Sequence, residues 1–196
     1  MLQKPLVCLI HGFNVWDKGK GTVGKLRPYI EAEGFEVLEL PYRWIGVIQT
    51  YFYNRVLAKR FAKRLKGRKV ILVAHSNGNV IANIMVERYG VQAEGLVAIN
   101  PALDRDTKFP QAYKFIHVYH NKGDVATRIA RFIPAHAWGE MGSVGYIGGG
   151  HRAINFDTAH TKGMSHVWGH SDIFENHNLI DWGKFIVYQI GLEYHV

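Results

Sequence analysis

The stretch from Lys69 to Ala82 is an apolar strand that breaks into a helix at Ser76. A serine at that point has two uses. Its hydroxyl caps the helix, or it attacks an electrophilic carbonyl while backbone N–H groups at the helix N-terminus stabilise the negative charge that develops. The second use needs a turn tight enough to hold the hydroxyl clear of the sheet, and therefore small residues two positions before and after the serine. Ala74 and Gly78 meet that demand.

A second buried-type strand, Pro5 to Ile10, runs into His11-Gly12-Phe13-Asn14, where Gly12 would let the backbone approach a substrate. Together these segments resemble the α/β-hydrolase superfamily. Its Gly-x-Ser-x-Gly pattern reads here Ala74-His75-Ser76-Asn77-Gly78, with Ala for the first Gly. The resemblance implies that the N–H groups of Phe13 and Asn77 form an oxyanion hole, and that His11 props up the loop without titrating in catalysis.

The superfamily orders its remaining partners along the chain as serine, acid, histidine. A strand near 114–119 leads into His120-Asn121-Lys122-Gly123-Asp124, which makes Asp124 the acid; it also stands where it would cap a helix from Val125 to Arg131. Asp104, past the strand at 95–99, is the rival. For the base, Gly169-His170-Ser171-Asp172-Ile173-Phe174 resembles the Gly-His-Ser-x-x-Phe run of small hydrolases, some of which look phage-encoded, and favours His170 over His166. The two histidines have the i, i+4 spacing of a metal site. Gly169 and Ser171 argue for a loop, however, and the Glu of His-Glu-x-x-His is missing, so neither metal nor cofactor is expected.

These residues imply a serine hydrolase that cleaves carboxylic esters through a Ser76-His170-Asp124 triad and an acyl-enzyme. The same machinery serves thioester and amide hydrolysis. A catalytically inactive binding protein on the same fold is the alternative from another class, and it would have lost a triad member; all three remain here.

To position them, strands near 5–10, 35–40, 69–74, 95–99 and 114–119 alternate with helical stretches near 23–33, 47–66, 78–89 and 125–132, before a short strand at 152–156 and a closing helix at 179–192. The expected fold is a minimal α/β hydrolase in one domain spanning 1–196. It has a mostly parallel central sheet with helices on both faces in a three-layer sandwich. The antiparallel strands that usually open the fold are missing, and there is no room for a cap domain. The segment from Phe132 to Gly163 is rich in Gly, His and aromatic residues without a regular period, and should overhang the site as a substrate-binding or lid loop. His75, Trp138, Met141 and Tyr146, with Ile147, are the expected substrate contacts.

The 196 residues carry 24 Lys+Arg against 16 Asp+Glu, a net charge of +8. Much of the excess lies between Arg55 and Lys69 on the second long helix, whose Ile48, Phe52, Val56, Phe61 and Leu65 read as an opposite, core-facing stripe. That helix is either a solvated face or a surface for an anionic partner; no recognisable nucleic-acid module accompanies it, so the expected partner is a small ester or acyl substrate. Gly19 to Leu26 nearly spells a phosphate-binding loop, but Leu26 replaces the Ser or Thr that would hold magnesium. Cys8 is the only cysteine, which excludes an intrachain disulfide. With no signal peptide or segment of transmembrane length in view, the cell interior is the default location, with virion or signal-independent export left open. Oligomeric state is not legible.

Overall fold

The computed structural model describes residues 4–133, 138–149 and 153–194. Six strands, β1 (Leu6–Ile10), β2 (Val37–Glu39), β3 (Val70–His75), β4 (Ala93–Ile99), β5 (Phe115–His120) and β6 (Ala153–Asp157), form one sheet in the order β2-β1-β3-β4-β5-β6. Every pairing is parallel. The central strands are apolar without interruption because both of their faces are covered. Leu6, Cys8, Ile10, Leu72 and Ala74 point into one core, and Val7, Leu9, Ile71 and Val73 into the other.

The first core is roofed by α2 (Val47–Arg64) and α3 (Gly78–Tyr89), and the second by α1 (Arg27–Ala32) and α6 (Asn176–Leu192). Two short helices, α4 (Val125–Ala130) and α5 (Met141–Val144), follow β5. Strand order reverses between β1 and β3, so the loops leaving their carboxyl ends diverge and open a crevice there. Those loops are His11–Asn14 and the turn at Ser76.

Two expectations need correction. On α2, Ile48, Phe52 and Val56 face solvent, at 81%, 68% and 59% exposure, while Thr50, Asn54, Leu57, Ala58 and Phe61 face inward. Phe61 and Leu65 are buried as expected, but the amino-terminal half of the helix is turned so that its polar residues are inside. The reason is a partner that periodicity cannot see: Asn54 exchanges two hydrogen bonds with the Asn77 side chain of α3, at 2.8 and 2.9 Å. The segment from Phe132 to Gly163 is also more regular than expected, since α5 lies within it beside the expected strand, β6, and both pack against β5. Arg152, at the start of the expected last strand, and Gly150 lie outside the described residues.

Candidate active site

Ser76 occupies the left-handed region with φ 53°, a strained conformation for a residue with a side chain. Its surroundings enforce the strain. The Ser76 N–H donates to the Ile99 carbonyl at 3.0 Å, and its carbonyl accepts from Ala102 N and from Asn79 Nδ2. Asn79 Nδ2 also donates to the Ala74 carbonyl, so one buried amide holds both sides of the turn. A methyl group at Gly78 would lie 2.5 Å from the Ile10 carbonyl oxygen, which is why α3 can begin so close to the end of β1.

Gly12 has the same kind of role across the crevice. A Cβ there would come within 2.9 Å of Ser76 Cβ and 3.4 Å of its hydroxyl. The loop that carries it is tied down by His11 and Tyr42, whose rings stack with centroids 3.9 Å apart. His11 Nδ1 donates to the Gly12 carbonyl and Nε2 accepts the Tyr42 N–H, while the Tyr42 hydroxyl reaches the carbonyls of His11 and Gly12. Burial pushes the His11 pKa down, so the ring is neutral and keeps this tautomer. Neither the Phe13 nor the Asn77 N–H donates to an acceptor among the described residues.

Asp124 is fully buried at the start of α4, and both readings of it apply. Its Oδ1 accepts from the Thr127 N–H as a helix cap, and both of its oxygens lie 2.9 Å from His170 Nδ1. Asn100 Nδ2 donates to Oδ2 at 3.0 Å. Burial alone would raise the carboxyl pKa, but the bonds from His170, Thr127 and Asn100 outweigh it and hold the group below the usual carboxylate value. The loop of Asp124 also holds the loop of His170: Asn121 Nδ2 donates to the Gly169 carbonyl, and Gly123 packs on Trp168 with no room for a side chain.

Ser76 and His170 open on one cleft of about 240 Å³, lined also by Phe13, His75, Ala126, Ala130 and Trp138. No hydrogen bond joins the Ser76 hydroxyl to the His170 ring among the described residues. Such contacts commonly tighten only when substrate is bound.

The rival residues lie elsewhere. Asp104 is solvent-exposed, and its carboxyl pKa is raised by partial burial and by Asp106 and Glu140. His166 bonds the Ala159 carbonyl. Of the expected substrate contacts, His75 and Trp138 line the cleft; Met141 and Tyr146 are buried in the core, and Ile147 is exposed. The short helix α5 draws Met141 inward, with its N–H on the Leu103 carbonyl, and Tyr146 packs on Phe109. Among the described residues no group of three metal-ligating side chains occurs. The near phosphate loop is filled by its own chain, because the Asp17 carboxylate already accepts the N–H groups of Gly19 and Gly21.

Several supporting residues carry no motif. Asn77 is clamped by Asn54 on one side and by Trp138 Nε1 on the other, at 2.8 Å, so its backbone N–H is held in place through its side chain. Gly142 leaves space for the acid, since a Cβ there would sit 2.6 Å from Asp124 Oδ2. His75 Nε2 bonds the His170 carbonyl at 3.0 Å, and its ring packs on His170 and Phe174. A polar residue one turn from another inside an otherwise apolar helix face, as at Thr50 and Asn54, is the only sequence sign of the clamp.

No family model and no curated protein matches the sequence. Solved structures do. A pyrethroid hydrolase superposes with a TM-score of 0.60 at 10% identity, over 98% of this chain and 99% of its own. An extracellular α/β-hydrolase from a Paenibacillus species gives 0.58 at 12% identity, over 95% and 98%. The fold is that of the α/β hydrolases. Est1E from Butyrivibrio proteoclasticus, solved with ferulic acid bound, gives 0.55 at 14% identity, over 97% of this chain and 89% of its own. With this α/β-hydrolase fold, the crevice at the carboxyl ends of β1 and β3 corresponds to the switch point where open parallel sheets hold their ligands.

Two predictions follow from the packing of the site. Replacing Asn54 with Leu strands the Asn77 amide in the core and should lower stability by about 1–3 kcal/mol, read as a shift of the urea midpoint at unchanged slope; an unchanged midpoint would show the clamp to be idle. Burial, followed by the neighbouring His170, pushes the His75 pKa down to about 3. Below pH 6.5 the unfolded chain therefore takes up a proton that the folded chain refuses, and stability falls as pH drops toward 3. Each such group contributes a slope of about 1.4 kcal/mol per pH unit. His75→Gln should remove about one proton's worth of this acid sensitivity between pH 6 and pH 4.5, measured by urea unfolding, whereas an identical pH profile would mean that His75 protonates freely.

Proposed function

We propose that the protein is a serine hydrolase that cleaves carboxylic esters through an acyl-enzyme. The observation that carries this reading is the strained Ser76 turn facing Gly12, with His170 in the same cleft and bonded to a buried carboxylate. Neutral His170 takes the Ser76 proton through Nε2 as the oxygen attacks the ester carbonyl, while Asp124 orients the ring through Nδ1 and stabilises the imidazolium. The N–H groups of Phe13 and Asn77, which meet no acceptor among the described residues, receive the oxyanion. Collapse of the tetrahedral intermediate expels the alcohol, which takes the proton from His170. Water, deprotonated by the same ring, then releases the acid and restores Ser76.

The cleft supports the ester reading in a second way. Its small volume and its lining of Phe13, Ala126, Ala130 and Trp138 suit a carbonyl with a compact apolar group on either side. Trp138, packed on Phe13 with ring centroids 4.9 Å apart, forms one wall. The hydrolase names of the structural neighbours are consistent with this chemistry and do not select a substrate.

Treatment with a fluorophosphonate, followed by intact-mass measurement, tests the reading. Wild type should gain one adduct, and Ser76→Ala and His170→Ala none within the same time. Labelling that survives Ser76→Ala, or a folded wild type that stays unlabelled, would overturn it, the latter in favour of a binding protein. Loss of labelling in His166→Ala with retention in His170→Ala would reassign the base.

A further inference from the structure

The rim of the cleft is apolar where a soluble enzyme acting on a dissolved substrate has no need of it. On one side stands the exposed face of α2, with Ile48, Phe52 and Val56 at i, i+4 and i+8. Because α2 follows β2 of a parallel sheet, its amino-terminal turns lie at the carboxyl edge, beside Ser76; Phe52 and Trp138 line one groove, and Trp138 is also a wall of the cleft. On the other side α4 turns its small residues, Ala126 and Ala130, into the cleft and leaves Ile129 and the following Phe132 in solvent. Next to the lining residues Asn14 and Val15 stands an exposed, stacked pair, Trp16 and Trp44, with the Trp44 indole bonded to Asn14.

Charge says what covers this rim. Arg55, Lys59 and Lys63 continue the exposed face of α2 beyond its apolar turns, and with Arg60 and Arg64 they carry no ion pair among the described residues. An apolar end next to a cationic end on one helix face, bordered by tryptophans, fits the boundary between acyl chains and anionic headgroups. Neutral or cationic partners gain nothing from the second half of that face. The volume of the cleft points the same way. At about 240 Å³ it admits an ester group and a few carbons, so a lipid ester held there extends its chains beyond the cleft, toward the apolar rim.

We propose that the outer face of α2 and the rim of the cleft dock on an anionic lipid surface, from which the site takes membrane-borne esters. The substrate half of this proposal rests on the ester-hydrolase reading; the docking half does not.

Sedimentation with phosphatidylcholine vesicles, with and without about one third phosphatidylglycerol, tests it. Wild type and Ser76→Ala should both partition onto the anionic vesicles at low salt, and neither onto pure phosphatidylcholine. High salt and the pair Lys59→Glu/Lys63→Glu should release them. Ile48→Ser/Val56→Ser should weaken partitioning about tenfold, with hydrolysis of a soluble short-chain ester unchanged in both double variants. Failure to partition, partitioning indifferent to the substitutions, or a solution dimer that Ile48→Ser/Val56→Ser dissociates would overturn the docking, the last by assigning the face to a second copy of the chain. Vesicle binding without hydrolysis of any ester would remove the ester reading alone, and hydrolysis without vesicle binding would remove the docking alone.

Discussion

The site depends on two backbone approaches that leave no space for a methyl group. At Gly78 the first turn of α3 meets the carbonyls of Ile10 and His11, and at Gly12 the loop leaving β1 meets the Ser76 side chain. Together they fasten the end of β1 to the beginning of α3. The strain at Ser76 persists because these contacts and the hydrogen bonds to Ile99, Ala102 and Asn79 leave the turn no relaxed alternative. The same closeness brings the loop carrying Phe13 beside the Ser76–Asn77 turn, and neither the Phe13 nor the Asn77 amide donates to an acceptor among the described residues.

Around this junction the buried polar groups form a connected set. Asn54 and Trp138 hold Asn77, His11 and Tyr42 hold the Gly12 loop, Asn100 and Thr127 hold Asp124, and His75 holds the backbone of His170. Each partner satisfies a group that would otherwise be stranded away from water, which is a strong reason for it to stay in place. A preorganised site is what acyl transfer requires, because donors that must rearrange during the reaction stabilise its charge less. The rim is built on the opposite principle, with large apolar side chains left in water beside lysines and arginines.

The strands were legible because continuous apolar runs bounded by glycine and polar turns have few other readings, and all six fall within a residue or two of their expected ends. That Ser76, Asp124 and His170 come together was legible from their places in the chain, after β3, after β5 and near the closing helix. What periodicity could not supply was the identity of partners distant in sequence. Asn54 reads as a solvent-facing residue until Asn77 is seen across from it, bonded to it inside the fold. Met141 and Tyr146 read as pocket residues because they lie in a glycine-rich segment, but α5 and the pairing of β6 fold that segment onto the core. Gly142, in the same glycine-rich segment, is a space kept free for a carboxylate.

The oxyanion site is central: an oxygen of a group bonded to Ser76 Oγ should meet the Phe13 and Asn77 amides. A crystal structure of the phosphonylated protein measures this directly. The account predicts a phosphoryl oxygen at about 2.7–3.1 Å from both the Phe13 and Asn77 nitrogens, with His170 still bonded to Asp124. A phosphoryl oxygen turned to solvent, or an adduct on another residue, would contradict it.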